Sequence, residues 1–329
     1  MTSKTTKTKR PMWHFTPDLP IKHAPYCESP LSIWASIKNE LLAWAPTNVR
    51  FYALLVSLAV YTWFLPNLER TSQWQWDWVA EVLLRNYVIV IVVAGGLHLW
   101  LFTFKGQGDD SHYDNRPLAT DSIRFDFRHQ TRDNILWTLV GVPIGTLWEC
   151  AMLWAYSNGY ASLISFSEQP VYFVAIMMLI PVWSGTHFYF LHRALHLPLL
   201  YKWVHSWHHR NTNIGPWSGH AMHPAEHFGL YSDILIFLLV ASHPLHLLFN
   251  LMLHTMNGPI SHAGYDKLKV GPLNIQVGDF FHQLHHRFFD CNYGVTITPW
   301  DKWFHSFHDG TPEGNKAINE RRRKMNNPN

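Results

Sequence analysis

Three short histidine patterns stand between residues 192 and 286: His192-Arg-Ala-Leu-His196, His205-Ser-Trp-His208-His209 and His282-Gln-Leu-His285-His286. Side chains three and four residues apart share one face of a helix, so each pattern turns imidazoles toward a common point. The second and third share the spacing H-x-x-H-H. The chain holds 23 histidines, and 16 of them fall between His187 and His286, where the only acids are Glu226, Asp233, Asp266 and Asp279. Eight neutral nitrogens exceed what a tetrahedral zinc site takes and suit two metal ions. Imidazole accepts zinc, copper, iron or nickel, so donor type alone leaves the metal open. The Glu and Glu-x-x-His ligands of soluble four-helix di-iron proteins are absent.

Other residues are candidates around this set. His262 in NGPISHAGYD is a ninth candidate ligand, and His223 in HAMHPAEH is a further one. Glu226 is placed to accept a proton from a ligand's other ring nitrogen, as carboxylates behind metal-bound histidines do, and Asn292 is expected in the same supporting role. His220, His227 and His187 are weaker candidates. His243, His246 and His254 fall in an apolar stretch and are expected to pack there. His98, His112, His129, His305 and His308 lack partners at ligand spacing and read as structural.

The elements that must position these residues are membrane helices. Apolar segments at 49–66, 86–104, 134–156 and 171–191 are each near the length a helix needs to cross a bilayer core. Their apolar residues run all round rather than along one stripe. Many of the 17 Trp and 20 Phe residues sit at segment ends, where amphipathic rings meet a membrane interface. Lys and Arg concentrate at the N-terminus and in loop 105–133, which places both termini and that loop in the cytoplasm with four crossings. The fourth segment then delivers His192 and His196 to the cytoplasmic face. Segment 228–256 is broken by Ser242-His243-Pro244 into halves too short to span. If its two flanking histidine groups share a site, it is a re-entrant hairpin. The expected architecture is an all-α integral membrane bundle of about four transmembrane helices plus that hairpin, under a cytoplasmic His-rich cap. Residues 1–48 read as an N-terminal arm and 49–329 as the membrane-embedded domain.

Composition narrows the class further. A net charge of +3 gives no argument for nucleic acid as a partner. Cys27, Cys150 and Cys291 are far apart and propose neither a disulfide framework nor a thiolate site. The basic opening MTSKTTKTKR is followed by no apolar stretch, so no cleavable signal peptide is expected.

H-R-x-x-H followed by two H-x-x-H-H patterns on a multi-pass chain resembles the fatty acid hydroxylase superfamily, which includes sterol desaturases. HAMHPAEH at 220–227, SHAGYD at 261–266 and FFDCNYGVTITPWDKWF at 288–304 extend the resemblance over about 180–305. It implies metal ligands at His192, His196, His205, His208, His209, His282, His285 and His286, with His262 added. It further implies two iron ions, O2 as co-substrate and a membrane lipid as substrate: a sterol, a fatty acyl chain or an ornithine lipid, hydroxylated or desaturated. The chain has no His-Pro-Gly-Gly signature of cytochrome b5 and no nucleotide-binding glycine motif. Electrons are therefore expected from an external donor such as cytochrome b5, ferredoxin or a reductase. The expected location is the cytoplasmic side of a bacterial inner membrane or of the endoplasmic reticulum. A membrane metal transporter, or a metal-binding protein without oxygenase activity, is the competing reading, and it requires ionisable residues lining a path through the spans.

Overall fold

A computed structural model describes residues 13–326; the basic stretch at 1–10 lies outside them. The chain is a bundle of helices. Helix α1 (Ile33–Ala43) precedes α2 (Val49–Phe64), α3 (Trp76–Thr103), α4 (Gln130–Ser157) and α5 (Pro170–Leu195). Helices α3, α4 and α5 are 28, 28 and 26 residues long and apolar enough to cross a membrane, whereas α2 is a shorter apolar helix. About two thirds of the residues in their apolar windows are not buried by the protein. Exposed side chains such as Leu84, Val88, Val92, Val171, Val174 and Leu179 would be an aggregation surface in water and are the lipid-facing surface of a membrane bundle. The protein is a membrane protein.

Helix α3 begins ten residues before the expected 86. Its first three turns carry Asp77, Glu81 and Arg85, which read as loop charge in the sequence. Asp77 and Glu81 both bind Arg70 from outside the helix, at 2.9 and 3.1 Å. Arg85 instead turns inward to Glu149 on α4. Pro143 and Pro181 lie inside α4 and α5, which neighbouring helices in a membrane bundle tolerate.

The stretch expected to be a re-entrant hairpin goes in and comes back. It descends as a 3-10 helix, Tyr231–Leu238, and reaches Ser242, whose N–H donates to Ser162 at 2.9 Å and whose carbonyl accepts from Ile164 at 3.0 Å. Ser162 and Ile164 belong to the loop joining α4 to α5, so the hairpin reaches the end of the bundle opposite the histidines. Pro244 then starts helix α7 (Pro244–Ser261), with α6 (Pro224–Leu230) preceding the hairpin. At 1.5 Å per residue the 18 residues of α7 climb about 27 Å. That return carries His262 back beside His208, His282 and His286. Leu247, Leu248 and Phe249 on α7 are fully enclosed, because this helix runs through the centre of the bundle.

Beyond α7 the chain forms one small hairpin among the described residues, β1 (Lys267–Val270) paired antiparallel with β2 (Leu273–Gln276), register Lys267 to Gln276. It is a minor element in the expected all-α architecture: alternating KLKV and LNIQ flank a turn at Gly271, whose φ of 57° suits glycine. Helix α8 (Phe280–Phe288) carries the last histidine pattern, and α9 (Pro312–Asn326) closes the chain. The expected N-terminal arm is partly built in: Trp13, Phe15 and Ile21 pack on the small core formed by Tyr113, Phe280, Leu284 and Phe288.

Candidate metal centre

Four pieces of backbone bring nine imidazoles together. The last turn of α5 supplies His192, the residue just past the helix end is His196, and a 3-10 helix at His205–Arg210 supplies His205, His208 and His209. The residue after α7 is His262, and α8 supplies His282, His285 and His286. They fall into two groups: His192, His196, His205, His209 and His285 in one, His208, His262, His282 and His286 in the other. Within each group the nearest ring nitrogens lie within 4.8 Å of one another. The H-x-x-H-H patterns therefore do not each aim at one point. The first and last histidine of a pattern go to one group and the middle one to the other, in opposite senses for the two patterns.

The outer nitrogen of five rings is fixed by an acceptor. Nδ1 of His192 donates to Tyr293 O at 2.6 Å, that of His285 to Cys291 O at 2.6 Å, and that of His286 to Asn211 O at 3.0 Å. Nδ1 of His262 donates to Gly258 O at 2.9 Å, and Nδ1 of His205 to the Glu226 carboxylate at 2.8 Å. A carbonyl only accepts, so in a neutral ring the proton sits on Nδ1 and Nε2 is a bare lone pair. Yet Nε2 of His262 and Nε2 of His286 face each other at 3.0 Å. Two lone pairs at that distance repel unless a cation lies against both. The same conflict holds for Nε2 of His192 and His205, also 3.0 Å apart. The donor set fits a metal ion in each group.

Burial keeps these rings neutral, the form a metal takes. It pulls His205 and His282 down to about 3 and His208 to about 4. His196 is drawn to about 2, by burial first and by neighbouring imidazoles second. Burial also pushes the Glu226 carboxyl up to about 7, while the N–H it accepts from His205 favours its ionised form.

His223 is not brought into either group. Its Nδ1 accepts the N–H of Ala225 as the cap of α6, at 3.1 Å, and its ring lies edge-on to Trp207. Asn292 touches no candidate ligand directly. Its amide donates to Phe281 O and His308 O, both at 3.0 Å, and its oxygen accepts from His308 N at 2.7 Å. That clamp holds the backbone on either side of it, where the Cys291 and Tyr293 carbonyls receive the His285 and His192 protons. Asp301 belongs to the same scaffold and escaped the sequence reading except as part of the W-D segment. It accepts the N–H groups of Tyr293 at 2.9 Å and Gly294 at 2.7 Å. His220 and His227 are buried but bond to backbone carbonyls of Thr255 and His220, and His187 bonds to Ser232.

A cavity of about 440 Å³ opens beside the histidines and runs into the bundle. His192, His205, His208, His262 and His282 form part of its wall, and Phe188, Leu191, Leu195, Leu230, Leu253 and Ile260 supply an apolar lining. Its size is within the range of small-molecule sites.

Fold and site together define a membrane-embedded helical protein with a paired all-histidine centre at one end of the bundle. Residues 173–306 match the fatty acid hydroxylase family, and the curated relatives that the chain resembles are sterol desaturases and sterol oxidases. It is 29% identical to a Δ(7)-sterol 5(6)-desaturase of Aspergillus fumigatus over 60% of this chain and 55% of the relative. It is 25% identical to the lathosterol oxidase of Rattus norvegicus over 79% and 87%. It is 36% identical to methylsterol monooxygenase 1 of Danio rerio over 37% and 43%. The alignments span 55% and 51% of the first two fungal relatives. No solved structure matches the chain.

Proposed function

We propose that this protein is an O2-dependent lipid oxidase with two non-haem iron ions, hydroxylating or desaturating a membrane lipid of the sterol or acyl-chain type. One ion would be held by His192, His196, His205, His209 and His285, the other by His208, His262, His282 and His286. The observation that carries the reading is the pair of unprotonated Nε2 atoms of His262 and His286, aimed at each other where His262 meets the cavity. Iron bound there would supply reductive activation of O2 and removal of hydrogen from an unactivated C–H bond. The relatives' printed activities, desaturation and oxidation of sterols, are of this type.

The chain's own part is positioning. Carbonyls of Tyr293, Cys291, Asn211 and Gly258 fix ring orientation, and Glu226 holds His205, as supporting partners of metal-bound histidines do. Phe188, Leu191 and Leu195 on α5 and Leu253 and Ile260 on α7 guide an apolar chain against the centre and exclude water. The Lys and Arg of loop 105–133 support a cytoplasmic location for this end, where an external donor protein would deliver electrons. The test is iron analysis and lipid profiling of cells with and without the gene. Two iron ions per chain, lost from a His262→Ala, His285→Ala double variant, and a lipid that gains one oxygen or loses two hydrogens are expected. Purified protein without iron, or unchanged lipids, overturns the reading.

A further inference from the structure

The cavity has a second polar end. Ser184 on α5 and His254 on α7 are on its wall, and both are one helical stretch of eight residues before a candidate ligand, His192 and His262. Eight residues rise about 12 Å, so this polar patch sits roughly that far below the histidine centre, inside the bundle. His254 Nε2 donates to the Asp233 carboxylate at 2.7 Å, and Asp233 comes from the descending arm of the hairpin. Ser184 Oγ lies 3.2 Å from the same nitrogen. The nitrogen's one proton goes to Asp233, so the serine at best shares it, and no acceptor takes the serine's own proton among the described residues. Asn257, one turn above His254, is exposed although it lies on the central helix. Its exposure is to the cavity, which it lines, and no hydrogen-bond partner reaches its amide among the described residues.

Packing explains Asp233 and His254, which tie the two arms of the hairpin together. It does not explain Asn257 or the hydroxyl of Ser184, whose hydrogen-bonding capacity no protein group takes up in full among the described residues. Two such groups on one stretch of the cavity wall point to a ligand group that both donates and accepts. Charge selects which. Asp233 disfavours an anion, and Arg50, the cavity's sole Lys or Arg among the described residues, is already bound to the Glu40 carboxylate at 2.8 Å. A cation would find Asp233 already committed to His254.

We propose that Ser184 and Asn257, backed by His254 and Asp233, bind a neutral hydroxyl of the lipid substrate, so that the oxidised carbon is set by its distance from that hydroxyl. This rests on the reading of the cavity as the lipid site, but its test does not require oxidation. The probes are dodecanol and dodecane, titrated against the full chain in detergent micelles and referenced to micelles alone. The wild type is expected to prefer the alcohol by about tenfold, as one or two net hydrogen bonds give. Ser184→Ala and Asn257→Leu each weaken that preference, the double variant abolishes it, and Ser184→Thr retains it. Equal binding of alcohol and alkane by the wild type, or a preference that survives the double variant, overturns the proposal. Metal content of the same samples reads the oxidase proposal separately: an iron-free protein that keeps its alcohol preference sinks that one and leaves this one standing.

Discussion

The proton on each imidazole is decided one atom at a time. Glu226 is the one carboxylate among the acceptors behind the rings, and it is buried with a second oxygen that has no partner among the described residues. Replacing it by Ala leaves His205 Nδ1 without an acceptor and frees the ring to turn. Removal of such a partner commonly lowers metal affinity 10–100-fold. Glu226→Ala is therefore expected to release iron to a chelator at roughly that much lower chelator concentration, with the fold intact by circular dichroism; unaltered retention would show that Glu226 does not orient a ligand. The two groups also make opposite demands on single histidines. His262→Ala takes one ligand from the four-histidine group, so metal content is expected to fall from two ions to one. His196→Ala removes one of five from the other group and is expected to lower affinity with less loss of stoichiometry. Equal loss from both variants would refute the division into two sites.

Helices and loops show why the rings can interlock. In H-x-x-H-H the first histidine is close to both later ones on a helix surface, so the spacing alone does not say which of them it shares a group with. The 3-10 helix at 205–210 sends His205 and His209 to one group and His208 to the other; α8 sends His282 and His286 to the second and His285 to the first. Identical spacing marked these residues as functional in the sequence, but which ring joins which ion depends on how the two helices face each other, a tertiary fact. Long apolar runs were equally legible for α4 and α5. The start of α3 was not, because Asp77, Glu81 and Arg85 resemble loop charges until their partners are known. Asn292 was expected to support a ligand directly and Asp301 was visible only as a residue of a motif; their work is done through backbone carbonyls that no spacing rule reports. Asn292 sits at φ 55°, a region Asn tolerates better than other side-chain-bearing residues. Asn292→Ala loses three buried hydrogen bonds and is expected to reduce stability by about 2–4 kcal/mol, with iron loss preceding global unfolding in a thermal scan. Coincident loss of both would show that the loop and the bundle unfold as one unit. The 3-10 helix at Pro216–His220 meets α7 at Gly219, where an added Cβ would stand 2.0 Å from Gly258 O. Gly219→Ala must push that wall of the cavity apart.

On the scale of the whole bundle, an ion pair ties two of the membrane helices together. Arg85 on α3 binds both carboxylate oxygens of Glu149 on α4, at 2.6 and 2.5 Å, and Asn86 adds a bond to the same carboxylate at 3.0 Å. Glu149 is 1% exposed. A transport path needs ionisable groups in series. Here the pair neutralises itself beside a void of about 20 Å³, enough for one water and no more. A structural clamp between α3 and α4 predicts a particular pattern of stabilities. Glu149→Leu strands a buried guanidinium and is expected to cost about 3–5 kcal/mol, and Arg85→Leu strands a carboxylate at similar cost. Removing both leaves neither charge unpaired, so the double variant is expected to lie within about 1–2 kcal/mol of the wild type, since apolar replacement of a whole buried pair is often near neutral. Denaturant unfolding in micelles measures all three, and iron content should stay at the wild-type level in the double variant. If that variant were as unstable as the singles, the pair would matter for more than mutual neutralisation. If it folded normally but lost its metal, charge between α3 and α4 would be coupled to the histidine centre, and the division between a passive bundle and an active end would fail.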